Sequence, residues 1–178
     1  MNAFWAHGFA ATSMADLVEA TGSTRQSIYG DFESKNGLYR ACFDRYREQV
    51  VLPALAHFGD GGGSTAIAAY FEAQISLAER VGLPGPGCLV GNAMTETAPG
   101  NDAVRKEVEA HNERLERAFA SVLPPSWPDE RRRELAQFLV VAAQGLWALS
   151  RVTPDAAGLR ARAATIVQMI EREISGDS

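Results

Sequence analysis

The chain has 178 residues, 46% hydrophobic and 22% charged, with a formal net charge of −5. That balance is typical of an ordinary globular chain long enough for a sizeable core, and not of a strongly basic protein. No apolar run approaches the ~20 residues of a membrane helix, and no basic-then-apolar leader opens the chain, so a cytoplasmic protein without membrane attachment is expected.

The first fifty residues break into short helices. Ser13 followed by Asp16 has the spacing of a capping box, which predicts a helix of about two turns from Met14. Gly22 stands where that helix must stop and the chain turn through a left-handed C-cap. Thr24 is placed to cap the next helix, with Ile28 and Phe32 facing inward beside Leu17 and Val18. Its outer face then carries Arg25, Gln26, Ser27 and Tyr29. Arg and Gln make bidentate hydrogen bonds to guanine and adenine edges, and Ser adapts to either. Lys35 and the hydroxyls of Thr12 and Tyr29 are suited to phosphate oxygens. Ser13 and Thr24, at the two helix starts, complete the expected DNA-contacting set. Five cations against six anions leave residues 1–50 at −1, so charge alone does not suggest nucleic acid.

A long helix from Ser34 is expected to bridge into a larger helical domain, kinked or ended by Pro53. Turn chemistry marks loops at residues 60–64, 82–87, 99–102, 124–128 and 153–155. Between them the periodicity is helical. Residues 101–123 place Val104, Val108, His111, Leu115, Phe119 and Val122 on one stripe, with Arg105–Glu109 and Glu113–Arg117 as outer pairs. Residues 155–175 repeat the pattern with Leu159, Ala163, Ile166, Ile170 and Ile174. Ser126 and Thr153 stand where helix-capping hydroxyls are expected. No alternating strand pattern occurs, so the fold class is all-α: a helix-turn-helix domain over 1–45 and a larger helical domain over 46–178.

Residues 135–149 are apolar nearly all round, which predicts burial on two sides. A homodimer through residues 129–175, as a four-helix bundle, follows. Phe71, Ile75, Met94, His111, Leu115, Phe119 and Trp147 are candidate effector contacts, although such spacing also serves a plain core. Cys42 and Cys88 lack metal spacing and are expected as free thiols. No Ser/His/Asp grouping or phosphate-cradling loop is visible, so no catalytic residue, cofactor or metal is expected.

The residues Gly8-Phe9, Thr12-Ser13, Leu17, Ala20, Gly22, Thr24, Ile28-Tyr29, Phe32, Ser34-Lys35 and Leu38 resemble the TetR family of transcriptional regulators. More loosely, Gly87-Cys88-Leu89, Asn92, Glu96, Ala98-Pro99 and Val104-Arg105 resemble one subgroup's C-terminal domain. The resemblance implies a homodimer that binds an operator in double-stranded DNA, released by a small-molecule effector held in the larger domain. It implies Tyr29 and Lys35 as phosphate contacts, and Arg25, Gln26 and Ser27 as base readers. Two departures stand out. Only three residues precede Phe4, so either the true start lies upstream or the first helix is a stub of about six residues. Gly30 and Asp31 weaken the DNA-facing surface. The alternative is a helical ligand-binding or dimerisation module that has lost sequence-specific DNA binding.

Overall fold

Caps and turns cut the N-terminal part into α1 (Asn2–Ala11), α2 (Met14–Thr21), α3 (Arg25–Phe32) and α4 (Lys35–Tyr46) in the computed structural model, which describes residues 1–59 and 62–176. Among these residues every regular element is helical. Residues 60 and 61 of the expected glycine-rich loop lie outside the described residues.

The piece of α1 ahead of Gly8, residues 2–7, is the expected stub of about six residues. A short isolated helix is marginal in water, so packing must hold it. Phe4 is 1% exposed and packs on Tyr39 with the two rings tilted at 60°, their centroids 4.9 Å apart. Gly8 breaks α1 into two pieces at φ +81° and ψ 177°.

The bridge from α4 does not stop at Pro53. It widens into a π turn at Arg47–Val51 and resumes as α5 (Leu52–Leu55) with Pro53 in its first turn. Leu52 N–H donates to Arg47 O, five residues back. Pro53 has no N–H to give and its ring would crowd the carbonyl four residues earlier; the wider turn relieves both.

The larger domain holds α6 (Gly63–Val81), α7 (Leu89–Glu96), α8 (Asp102–Val122), α9 (Asp129–Leu149) and α10 (Ala156–Ser175). α6 lies along α10, and α8 along α9. The stripe expected on α8 is its inner face: Val104, Val108, His111, Leu115, Phe119 and Val122 are all buried. Three local expectations are corrected. Arg105 pairs with Asp102 at 2.7 Å, where Glu109 was expected, because an acid one turn back at the helix start is equally near. α9 starts after Pro128 with no side-chain cap, so Ser126 does not cap it. Asp155, not Thr153, caps α10, and the Thr153 hydroxyl donates to Leu149 O at 2.8 Å.

Candidate nucleic-acid interface

The capping box is formed: Asp16 N–H donates to Ser13 Oγ at 3.2 Å, and Ser13 N–H to Asp16 Oδ2 at 2.7 Å. That backbone bond holds the Asp16 carboxyl below its ordinary range. α2 ends at Gly22, whose φ of +66° is the left-handed cap, with its N–H on Val18 O at 3.0 Å. Thr24 then caps α3, its hydroxyl accepting from Ser27 N–H at 3.1 Å. Ile28, 2% exposed, anchors α3 in the same core as the buried Leu17 of α2, and burying such a side chain contributes about 2 kcal/mol. With that face fixed, Arg25, Gln26, Ser27 and Tyr29 stand out into solvent, Tyr29 at 42% exposure.

α4 presses hard on the end of α3. Ser34 caps α4 by accepting from Gly37 N–H at 3.1 Å. At Gly37 a Cβ would lie 1.9 Å from Phe32 O, so no larger residue fits this corner. A glycine three residues after the capping Ser34 is the sequence signal of this corner.

Most of the expected DNA contacts are open to solvent, with one correction. Thr12 is 1% exposed, and its hydroxyl donates to Gly8 O at 2.6 Å. A hydroxyl buried against the chain's own carbonyl cannot reach a phosphate, so Thr12 leaves the set. Ser13, Thr24, Arg25, Gln26, Ser27 and Tyr29 are exposed, and Lys35 is half-buried. The Ser27 hydroxyl points along its helix to Asp31 Oδ2 at 3.5 Å. Gly30 has nothing near the place its Cβ would occupy, which leaves the middle of α3 open.

The candidate effector residues do not gather around one cavity: Phe71 and Ile75 edge a groove of about 430 Å³ between α6 and α10, and Trp147 edges a small one beside Trp5 and Tyr46. Phe71, Ile75, Leu115 and Phe119 are at most 3% exposed, and His111 and Trp147 at most 7%. They fill the core: Tyr70 meets Phe119 at 5.2 Å, and Phe71 meets Trp147 at 6.4 Å. Burial, with Arg114 adding a like charge, pushes the His111 imidazole down to about 4, so it is neutral at pH 7. Of the seven, Met94 alone lines the cleft between α1, α7 and α9, of about 390 Å³, with His7, Cys88, Asn92, Glu96, Gln144 and Arg151. Gln144 Nε2 donates to Asn112 Oδ1 at 3.3 Å, while its buried Oε1 accepts from no described group. Cys42 and Cys88 are free and buried, and burial pushes both thiols up. Among the described residues no three His, Cys, Asp or Glu side chains could hold a metal. No described helix is long and apolar enough to cross a membrane.

Two side chains that position the helix-turn-helix escaped the sequence reading of the site. Trp5 Nε1 donates to Gly87 O at 2.8 Å, and Glu96 accepts from the amides of Phe9 and Ala10. Glu96 was visible only as part of a resemblance, because nothing local says that α7 will meet α1.

An all-helical chain with a capped two-helix corner, an exposed second helix and a larger helical domain defines the class of helix-turn-helix regulators. Residues 1–42 match the model for bacterial regulatory proteins of the tetR family, and residues 64–171 match the transcriptional regulator LmrA/YxaF-like C-terminal domain. The chain belongs to the TetR family. It is 33% identical over 125 residues to the HTH-type transcriptional repressor ComR of Escherichia coli (strain K12). That match covers 69% of this chain and 59% of ComR, less than two thirds of the relative's length. A TetR transcriptional regulator from Chloroflexus aurantiacus J-10-FL superposes with a TM-score of 0.76 at 25% identity, covering 96% of this chain and 89% of that one. A cysteine mutant of the TetR family regulator CifR, complexed with 26-bp double-strand operator DNA, reaches a TM-score of 0.78 at 23% identity, covering 93% and 90%.

Proposed function

We propose that this chain is a DNA-binding transcriptional regulator, a repressor that works as a homodimer and leaves its operator when a small molecule binds the larger domain. The observation that carries the reading is the outer face of α3. Arg25, Gln26 and Tyr29 stand free there, while Ile28 anchors the helix from behind. The family and the ComR relative, a repressor by name, add to it. Arg25, Gln26 and Ser27 read base edges in the major groove, while Tyr29, Lys35 and the hydroxyls of Ser13 and Thr24 meet the backbone. The loss-of-binding alternative is not favoured, since caps, turn and exposed face are intact.

Residues 1–45 serve as the DNA-binding domain and 46–178 as the effector and dimerisation domain, in the cytoplasm. A dimer is supported by Phe138, Val141, Leu149, Val152 and Met169, which lie 42% to 73% exposed on or just after α9 and on α10. Two copies paired there would set the recognition helices about one DNA turn apart, ~34–36 Å. For the effector, the cleft at Met94 suits better than the aromatic core. Its lining offers acceptors at Glu96 and Gln144, which favours a molecule bearing N–H or O–H donors. Such a ligand need prefer the non-binding shape by only a few kcal/mol for release to follow.

Selection from a random duplex pool, followed by fluorescence anisotropy on the enriched sequence, tests the reading. Enrichment of a pseudo-palindrome is expected; no enrichment at low salt would overturn it.

A further inference from the structure

α1 is tied at both ends to the segment that carries α7. Near its start, Trp5 donates to Gly87 O at 2.8 Å, just ahead of α7. Near its end, the two carboxylate oxygens of Glu96 accept from Phe9 N–H at 2.9 Å and Ala10 N–H at 2.7 Å. Gly8 makes this approach possible. Its φ of +81° bends α1, and a Cβ there would lie 2.7 Å from Glu96 Oε2. The bend takes the two amides off the helical ladder, and the carboxylate supplies charge-assisted acceptors in place of the lost carbonyls. The rest of the helix-turn-helix is attached to this same piece of chain. Phe9 packs on Tyr39 of α4 with centroids 5.0 Å apart, and Thr12 closes back on Gly8 O just before α2 begins.

We propose that Glu96 is a positioning residue for DNA binding. Its carboxylate fixes the angle at which α1, and with it α2 and α3, leaves the larger domain. This rests on the reading of the chain as a DNA-binding regulator. The role goes beyond stability because Glu96 also lines the cleft beside Gln144 and Arg151. Whatever occupies that cleft must contend with α1 for the same two oxygens. A shift of α7 is thereby passed to the recognition helix through two hydrogen bonds, with no need to deform the core.

The test compares wild type with E96A and E96Q on the operator obtained by selection with wild type. Three quantities are read: amide exchange at Phe9 and Ala10 by NMR, operator Kd, and the dependence of log K on log salt. In E96A both amides exchange about tenfold faster and Kd rises about tenfold, as expected for losing hydrogen bonds to a charged group. The salt slope stays at the wild-type value, because no phosphate contact is removed. E96Q falls between, since its carboxamide keeps one acceptor and turns an NH₂ toward the second amide. Circular dichroism should give equal helix content for all three. Unchanged exchange in E96A, or a Kd within twofold of wild type, overturns the role of Glu96 alone. A wild type that selects no sequence overturns the regulator reading and this role with it.

Discussion

Lys35 Nζ stands 4.3 Å above the centre of the Phe9 ring. The first residue of α4 is thus steadied by a cation–π contact from the far end of α1, an interaction that contributes about 0.5–1 kcal/mol at partly exposed sites. Lys35 as a whole is half-buried, and in the proposed complex its ammonium trades the ring for a phosphate. Lys35→Ala should weaken binding on specific and random duplexes by the same factor and lower the salt slope by about one. Tyr29→Phe should also act on all sequences alike, with the salt slope unchanged because no charge is lost. A Lys35→Ala protein that loses affinity for the operator alone would move Lys35 to the base-reading group.

Arg25 and Gln26 make the opposite prediction. Both are exposed on the first turn of α3, ahead of the buried Ile28, where a helix entering the major groove presents its reading side chains. Arg25→Ala or Gln26→Ala should cost about 1–3 kcal/mol of discrimination at one operator position and leave random-duplex binding nearly unchanged for Gln26. Repeating the pool selection with each variant checks it. An unaltered preference at every position would remove that residue from base reading.

The helix-turn-helix was legible because its determinants are local. Ser13 with Asp16, Gly22 and Thr24 each act within four residues, so spacing alone placed two caps and a left-handed turn. The π turn was half legible: Pro53 announced a disturbance, while its form depended on how the bridge packs. The effector site was not legible. Phe71, His111, Phe119 and Trp147 have the same periodicity whether they line a cavity or fill it, and only tertiary packing distinguishes the two. Thr12 failed similarly, since its hydroxyl found the Gly8 carbonyl only because α1 bends.

Gly37 should tolerate no side chain. A Cβ 1.9 Å from Phe32 O meets backbone, which cannot swing aside, so α3 and α4 would have to part. Gly37→Ala is expected to destabilise by about 3 kcal/mol. Gly100→Ala is the control, because nothing lies within 4 Å of its added Cβ, and it should change stability by no more than about 0.5 kcal/mol. Urea denaturation of the two variants decides the point; equal midpoints would mean the corner relaxes freely.

His111 should make stability fall with acid. Its folded-state pKa of about 4 lies below the ordinary imidazole value of 6.5, so between these values the unfolded chain binds the extra proton. Stability is therefore full above pH 6.5 and declines as pH drops toward 4. From a shift of this size the loss attributable to His111 at pH 5 is about 2 kcal/mol. His111→Gln removes the titrating group while keeping a polar side chain. The difference in unfolding free energy between pH 7 and pH 5 should shrink by about that amount in the variant. An identical pH dependence in both proteins would mean that His111 is already protonated when folded.

Val141 tests the proposed dimer because it and the residue before it on α9 behave so differently. Val140 is 6% exposed and packed into its own protomer, while Val141 is 70% exposed and faces outward with Phe138. In a monomer, Val141→Asp would sit in water and change stability by about 0.5 kcal/mol or less. In a bundle of α9 and α10 from two chains, the same change buries an unpaired carboxylate in an apolar seam, which the assembly avoids by coming apart. The expected result is a folded, helical monomer at micromolar concentration by sedimentation. Its operator affinity should be about a hundredfold weaker, because each half-site is then held without the effective concentration its twin provides. Val140→Asp should instead unfold the protomer. A Val141→Asp protein that remains dimeric would place the contact elsewhere on the surface.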